Sequence, residues 1–136
     1  MPEDRRPDGS GPLFDELVRI MATLRGDDGC AWDRALTLDD MPEHLQGELD
    51  EAVAAIVAGD AVNLREELGD LLFNVISTAT IAQGSGLFTI EEMLRGVRDK
   101  IVRRHPHVFG DAEAATPEEV VAQWERIKAE EKDREA

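Results

Sequence analysis

The sequence predicts an all-α helical bundle, and three observations support this. Apolar residues recur every three or four positions in five separate segments, the pattern of amphipathic helices. Most glycine and proline residues lie between those segments, where they separate one helix from the next. Aromatic residues make up 4% of the 136 residues and tyrosine is absent, which disfavours a β-sandwich or barrel.

The chain length predicts one domain with a single core. Residues 1–11 are polar and rich in proline and glycine, so we expect a flexible tail, followed by one helical domain over residues 12–136. The first helix is expected over residues 12–25, where Gly26 begins a break. Residues 30–42 are expected to form an irregular connector that Trp32 packs in place.

Two further helices are predicted to form a hairpin. Gly59 is suited to a left-handed cap at the end of the second helix, and Asp60 to capping the start of the third. The third helix is expected to end at the glycine-rich residues 83–86. The two apolar stripes are Leu45, Leu49, Ala52, Val53 and Ile56, then Leu64, Leu68, Leu71, Leu72, Val75, Ala79 and Ala82.

The fourth and fifth helices have start and stop signals of their own. Thr89 with Glu92 three residues later predicts a capping box, and Pro106 is expected to end the fourth helix by His105. Thr116 then precedes a proline and two glutamates, a typical helix start, and predicts a charged C-terminal helix.

One acidic motif occurs twice, nineteen residues apart. Glu48 and Glu51 form the first pair and Glu67 and Asp70 the second, each pair beside the apolar stripe of its helix. If residues 59–60 are the turn of a hairpin, Glu51 and Glu67 lie at nearly the same height, as do Glu48 and Asp70. The hairpin is therefore predicted to gather four carboxylates.

Helical geometry makes these carboxylates part of a cleft. At 100° per residue the acids continue along each helix into small or uncharged residues, whereas a solvated face usually carries more charge. Two unit charges 5 Å apart repel by roughly 1 kcal/mol in water and roughly 3 kcal/mol at an effective dielectric near 20. Such a cluster favours a bound cation. Oxygen ligands without cysteine or a positioned histidine favour Mg²⁺, with Mn²⁺ as the alternative.

Several other interpretations are weaker. Acid pairs three residues apart also occur on ordinary helix surfaces, and the matched second pair is what favours a site here. The EF-hand and P-loop motifs are absent. The ExxH motif of ferritin-like di-iron bundles is absent as well.

The net charge of −15 argues against nucleic acid or an anionic membrane as the main partner. The single cysteine, Cys30, excludes an intramolecular disulfide and fits a reducing compartment. No signal peptide and no apolar run of transmembrane length is evident. A cytoplasmic location is therefore expected.

Cationic residues gather where the fourth helix is predicted to end. Lys100, Arg103 and Arg104 reverse the overall charge locally and precede His105. They suit an anion-binding site, although cations at this position also simply complement the carboxyl end of a helix.

Taken together, these residues resemble the MazG-type nucleoside triphosphate pyrophosphohydrolases. The resemblance covers about residues 13–132, and the ExxE and ELGD motifs joined to RRHPHVFG and a late tryptophan make it specific. Its landmarks are Gly29-Cys30-Ala31-Trp32-Asp33, Glu48-x-x-Glu51, Glu67-Leu68-Gly69-Asp70, residues 100–110 and Gln123-Trp124.

The resemblance implies an all-α pyrophosphohydrolase fold that assembles as a dimer or tetramer around a four-helix core. It implies hydrolysis of a nucleoside triphosphate to the monophosphate and pyrophosphate, with Glu48 or Glu51 accepting a proton from water. The implied magnesium ligands are Glu48, Glu51, Glu67 and Asp70. The implied substrate contacts are His44, Asn63, Glu66, Lys100, Arg103, Arg104 and Trp124.

Three positions depart from the family pattern. Gly47 replaces the first of two usual glutamates, Ala31 replaces a proline, and Asn63 stands where a cationic group is often found. These changes leave a rival interpretation open, in which the bundle is an inactive or regulatory relative that binds a partner protein.

Overall fold

The computed structural model describes residues 9–135, and all regular structure within them is helical. The all-α prediction is confirmed. The helices are α1 (Ser10–Leu24), α2 (Ala31–Ala35), α3 (Met41–Ala58), α4 (Ala61–Gly84), α5 (Ile90–Arg103), α6 (Pro106–Phe109) and α7 (Pro117–Glu135). They form two compact units: the first ends at Ile90 and contains α1–α4, and the second begins at Glu91, the second residue of α5, and contains the rest of α5 with α6 and α7.

The α3–α4 hairpin is the framework of the first unit, and its turn is formed as the sequence predicts. Gly59 adopts φ 69°, the left-handed conformation that favours glycine. The Asp60 carboxylate accepts a hydrogen bond from the Asn63 backbone N–H at 3.1 Å. This two-residue turn sets α3 beside α4, and α1 packs against α4.

Helix α1 begins at Ser10, two residues earlier than predicted, so residues 10 and 11 are not part of a tail. Gly9 is extended and precedes the helix, and Pro12 falls in the first turn, where no intrahelical N–H bond is lost. The rest of the predicted tail, residues 1–8, lies outside the described residues.

The connector is more regular than predicted. It holds the short helix α2 and a 3₁₀ turn at Leu38–Asp40. Arg25 Nη1 donates to the carbonyl of Asp33 and, at 3.2 Å, to that of Leu36, which ties the connector to the end of α1. A Cβ at Gly29 would clash with two α1 carbonyl oxygens, so only glycine fits this turn.

The predicted apolar stripes of the hairpin are buried only in part: Ala52, Ala79 and Ala82 are buried, and Met41 and Ile76, which are outside the predicted stripes, are buried as well. The largest fully buried side chains are Met21, Met41 and Ile76, which lie on α1, α3 and the second half of α4. Residues 49–75 of the hairpin are different, because several large apolar side chains there stay 37–61% exposed: Leu49, Val53, Ile56, Leu68, Leu72 and Val75.

In the second unit, α5 ends at Arg103, two residues before the predicted end, and α6 was not predicted. Helix α7 begins as predicted, since Thr116 Oγ1 accepts from the Glu119 backbone N–H at 3.2 Å. Gln123 is 4% exposed and its amide lies 2.8 Å from His107 Nδ1. No helix in residues 9–135 is long and apolar enough to cross a membrane.

Candidate metal centre

The acidic residues of α3 and α4 meet across the hairpin. Glu48, Glu67 and Asp70 each offer one carboxylate oxygen, and these three oxygens lie within 4.8 Å of one another. The geometry follows from the turn at Gly59, which brings the two acid motifs alongside each other. The predicted grouping of these three carboxylates is therefore present.

Two of these carboxylates have oxygens that are buried without a hydrogen bond. They are Glu48 Oε2 and Glu67 Oε2. A buried polar oxygen without a partner is costly, and an ion or ordered water is a common way to satisfy it. A cluster of hard carboxylate oxygens fits a divalent cation such as Mg²⁺.

The pKa values of acids in this cluster are raised, as expected when several acids lie close together. Hydrogen bonding to Glu51 is the main cause that raises the pKa of Glu67 to about 7, followed by burial and by the charges of Glu51, Asp70 and Glu48. Burial, and then the charges of Glu51 and Asp70, raises the pKa of Glu48. Both acids therefore hold protons more tightly than an isolated carboxyl group does, because burial and neighbouring negative charge disfavour the ionised form.

Glu51, the fourth predicted acid, lies at the edge of this cluster. Its side chain is exposed, and it is not among the three residues whose oxygens converge within 4.8 Å. Its effect on the pKa of Glu67 shows that it is a close neighbour. Glu51 thus lies beside the cluster and is exposed to solvent.

A cavity of about 190 Å³ opens beside Glu48. Asn74 and Ser77 of α4 line it and continue the stripe that begins with Glu67 and Asp70, so part of the predicted cleft wall lines this cavity. His44, a predicted substrate contact, lines it from α3. The acid cluster therefore borders a partly open cavity.

Trp32 lies at this cavity and was not predicted to be part of it. Its side chain is 59% exposed, so the expectation that it packs the connector is wrong. The ring contacts His44 edge to face, with the ring centroids 5.5 Å apart. No local pattern distinguishes an exposed tryptophan from a buried one on a five-residue helix, which is why the sequence did not reveal it.

Two other predicted contacts on α4 are exposed and outside the three-carboxylate group. The Asn63 backbone N–H donates a hydrogen bond to the Asp60 carboxylate, which caps the start of α4. Glu66 directly precedes Glu67, so the two side chains lie about 100° apart around the helix axis. Glu66 is exposed.

The predicted cationic residues lie in the second unit, where two of them are already paired. Arg103 Nε donates to Glu131 Oε2 at 2.6 Å, and Arg104 Nη2 donates to Glu131 Oε1 at 2.8 Å. Hydrogen bonds from Arg104 and then Arg103 lower the pKa of Glu131 to about 2. Lys100 is exposed.

Trp124, the last predicted contact, is half-buried in the same unit. The Arg104 guanidinium lies 4.9 Å from its ring centroid, and His105 contacts it edge to face at 5.5 Å. The aromatic ring therefore already has a cationic partner. Glu131, which organises this group, was missed because it lies 27 residues from Arg104 in the sequence.

Comparison with known proteins identifies the family. The family model described as the MazG nucleotide pyrophosphohydrolase domain matches residues 36–109, just over half of the chain. The chain belongs to the MazG family. The match contains all four acids of the repeated motif and ends at the last residue of α6.

Relatives of the MazG family are similar over most of this chain. It is 46% identical over 123 residues to the nucleoside triphosphate pyrophosphohydrolase/pyrophosphatase MazG of Thermotoga maritima, covering 90% of this chain and 47% of that protein. It is 42% identical over 120 residues to a nucleoside triphosphate pyrophosphohydrolase of Escherichia coli, covering 88% and 46%. The chain thus spans about half the length of these curated relatives.

A solved structure supports the fold. The crystal structure of a mazG-related protein from Thermotoga maritima superposes with a TM-score of 0.72 and 28% sequence identity, covering 85% of this chain and 98% of that one. The all-α pyrophosphohydrolase-type fold predicted from the sequence is therefore confirmed.

Proposed function

We propose that this protein is a magnesium-dependent nucleoside triphosphate pyrophosphohydrolase, which converts a nucleoside triphosphate and water to the monophosphate and pyrophosphate. The observation that carries the proposal is the cluster of Glu48, Glu67 and Asp70, with two buried oxygens that lack a hydrogen bond. Membership of the MazG family and the names of its relatives support the same reaction.

Glu48, Glu67 and Asp70 are the proposed metal ligands, and Glu51 completes the acidic shell. Mg²⁺ is the proposed ion, with Mn²⁺ as the alternative. When bound, the cation supplies positive charge that offsets the charge of the phosphate oxygens and of the departing pyrophosphate. Glu48 would hold the cation from α3, and Glu67 and Asp70 would hold it from α4.

Glu51 is the proposed proton acceptor, with Glu48 as the alternative. Water attacks the α-phosphorus, the bond from that phosphorus to the oxygen bridging to the β-phosphorus breaks, and pyrophosphate leaves with the bonding electron pair. The water proton passes to the carboxylate. Glu51 suits this role because it neighbours the cluster yet is not one of the three converging ligands.

The remaining substrate contacts rest on the resemblance. We propose that cationic side chains steady the phosphates as a point charge or a guanidinium fork, and that His44 contacts the nucleotide from the cavity wall. The full set proposed to contact substrate is His44, Asn63, Glu66, Lys100, Arg103, Arg104 and Trp124.

Incubation with a panel of NTPs and dNTPs in Mg²⁺ tests the reaction, with monophosphate and pyrophosphate as the products measured. We expect turnover by the wild type and a loss of about 10²–10⁴-fold for Glu51→Gln, the usual contribution of a general base. Asp70→Asn should lose Mn²⁺ binding as well as turnover, whereas Glu51→Gln should still bind Mn²⁺. Folded wild-type protein that is silent across the panel supports the regulatory alternative instead.

We also propose that the protein is a cytoplasmic homo-oligomer, a dimer or tetramer. The exposed apolar side chains of the α3–α4 hairpin, among them Leu68 and Leu72, support a second copy of the hairpin as their partner, since two hairpins complete a four-helix core. Light scattering after gel filtration should give a multiple of 15.0 kDa for the wild type. Leu68→Glu with Leu72→Lys should give the monomer mass, and a wild-type monomer would contradict the proposal.

A further inference from the structure

Two of the predicted cationic residues share one acid, which holds them in different ways. Arg104 donates to Glu131 Oε1 from Nε at 3.2 Å and from Nη2 at 2.8 Å, so the side edge of its guanidinium lies against the carboxylate. Arg103 donates to Glu131 Oε2 from Nε, at 2.6 Å. One carboxylate of α7 therefore fixes both arginines at the end of α5.

The two arginines also differ in exposure. The Arg104 side chain is 13% exposed, and its guanidinium lies 4.9 Å from the centroid of the Trp124 ring. The Arg103 side chain is 47% exposed, and within residues 9–135 its hydrogen bonding is confined to Nε. Arg104 thus has a second support in Trp124. Arg103 depends on Glu131 for its orientation and keeps Nη1 and Nη2 open to a ligand.

The open edge of Arg103 has the shape that a phosphate group needs. A guanidinium is a planar fork of N–H donors, and Nη1 and Nη2 can donate two parallel hydrogen bonds to two oxygens of one phosphate. The bond from Nε to Glu131 fixes the plane of this fork without using those two nitrogens. Lys100 is exposed three residues earlier on α5, so a second cation neighbours the fork.

The charge of this group suits an anion as well. Two guanidinium groups meet one carboxylate, so Arg103, Arg104 and Glu131 keep a net positive charge. Hydrogen bonds from Arg104 and then Arg103 lower the pKa of Glu131 to about 2, so the carboxylate stays ionised near neutral pH and its hold on both arginines is maintained there. The nearby Asp99 carboxylate already accepts a hydrogen bond from Arg98 at 2.9 Å.

We propose that Glu131 is a positioning residue for the phosphates of the nucleoside triphosphate: it holds the Arg103 guanidinium so that Nη1 and Nη2 donate to a phosphate group. The inference rests on the proposed function and deepens it, because it states how one proposed substrate contact is oriented before the substrate binds. Ordering such a side chain only on binding would weaken affinity by about 2- to 12-fold.

Glu131→Asp tests the inference, because it keeps the negative charge but shortens the side chain by one methylene group. Calorimetric titration with an α,β-methylene nucleoside triphosphate in Mg²⁺ measures Kd without turnover. Glu131→Asp should raise Kd by about 2- to 12-fold. Glu130→Asp, the same change at an exposed neighbour, should leave it unchanged. A fall in Kd for Glu131→Asp would show that Glu131 competes with phosphate for Arg103, and would overturn the inference.

A double-mutant cycle separates positioning from a general effect on the fold. Arg103→Ala removes the fork and should raise Kd by about 10- to 100-fold, as expected for the loss of a hydrogen bond between charged groups. In that background Glu131→Asp should have no further effect on Kd, because the side chain that it orients is gone. An equal factor in both backgrounds contradicts a role through Arg103.

Arg103→Lys gives an independent test that leaves Arg104 and Glu131 paired. Lysine keeps the positive charge but has one ammonium nitrogen, which cannot bond the carboxylate and also present a planar fork to phosphate. Its Kd should therefore rise, and binding as tight as that of the wild type would refute the need for an oriented fork. A thermal melt of each variant confirms that it is folded.

Turnover separates this inference from the proposed function. Glu131→Asp should raise KM and leave kcat nearly unchanged, whereas a smaller folded fraction would lower kcat and leave KM as it is. Hydrolysis with no response of KM or Kd to Glu131→Asp contradicts the positioning role and leaves the hydrolase standing. A wild type without turnover whose Kd values follow the expected cycle contradicts the hydrolase, and supports Glu131 as the residue that orients Arg103 toward a bound triphosphate.

Discussion

Each unit contains a cluster of charged residues, but the two clusters differ in composition. One brings acids together, and the other pairs an acid with arginines. Around Glu48 and Glu67, acid faces acid, two buried oxygens lack partners, and the pKa of Glu67 is raised to about 7. Around Glu131, one acid faces two arginines, each arginine donates one hydrogen bond shorter than 3 Å, at 2.6 Å and 2.8 Å, and the pKa of Glu131 is lowered to about 2.

The two clusters differ in their role: the acid cluster is a candidate binding site, whereas the Glu131 cluster stabilises its own unit. The Glu131 group is already satisfied within the chain, so its interactions stabilise the unit from which Arg103 and Arg104 extend. In the acid cluster, two buried carboxylate oxygens have no hydrogen-bond partner among residues 9–135, and a bound cation or a proton offsets the negative charge. Charge that a fold leaves uncompensated is the better indicator of function.

The largest expected effect is the response of the acid cluster to pH and magnesium. The pKa of Glu67 is about 7 in the folded chain and 4.5 ordinarily, so the folded state holds more protons. This contribution to stability is present below about pH 4.5 and is lost as the pH rises through 7. The Tm of metal-free protein should therefore fall over this window because of Glu67.

Magnesium should reverse that loss, since protons compete with the cation for the same carboxylates. The Mg²⁺-induced rise in Tm should grow with pH, and at about 100 times its Kd the ion adds about 2.7 kcal/mol. Glu67→Gln should abolish both the pH dependence and the Mg²⁺ response, whereas exposed Glu66→Gln should keep them. Equal behaviour of the two variants would contradict a metal site.

The next largest effect concerns the arginine cluster, where the dependence of stability on pH has the opposite sign. The pKa of Glu131 is about 2 when folded and 4.5 ordinarily, so its contribution is present above pH 4.5 and is lost as the pH falls toward 2. Glu131→Gln should lower the Tm at neutral pH and flatten the acid transition, with Mn²⁺ affinity unchanged. Glu130→Gln, an exposed neighbour, is the matched control, and an equal drop in Tm would show that the pairing contributes nothing.

The smallest effect concerns the glycine beside the acids. Gly47 lies inside α3 with no atom within 4 Å of an added Cβ, so Gly47→Ala should raise the free energy of unfolding by about 0.5–1 kcal/mol. Urea denaturation measures it. Gly29→Ala should be destabilising, because its Cβ meets α1 carbonyl oxygens. If Gly47→Ala also loses turnover, flexibility at that position is needed for function.

Local rules were sufficient for the features that depend on short stretches of chain. Periodicity located the long helices, and turn chemistry at Gly59 and Asp60 fixed the hairpin and hence the register of the acids. Long-range pairing was beyond those rules. Glu131 joins Arg103 across 28 residues, and the exposure of Trp32 depends on how the connector folds against α3.

The two-residue turn between α3 and α4 also makes the acid site sensitive to chain length. A residue inserted within α4 before Glu67 would shift both of its acids by about 1.5 Å along the axis and about 100° around it. A substitution at the same place would leave their positions unchanged. Variation in this hairpin is therefore expected as exchanges of residues at constant spacing, with insertions and deletions confined to other parts of the chain.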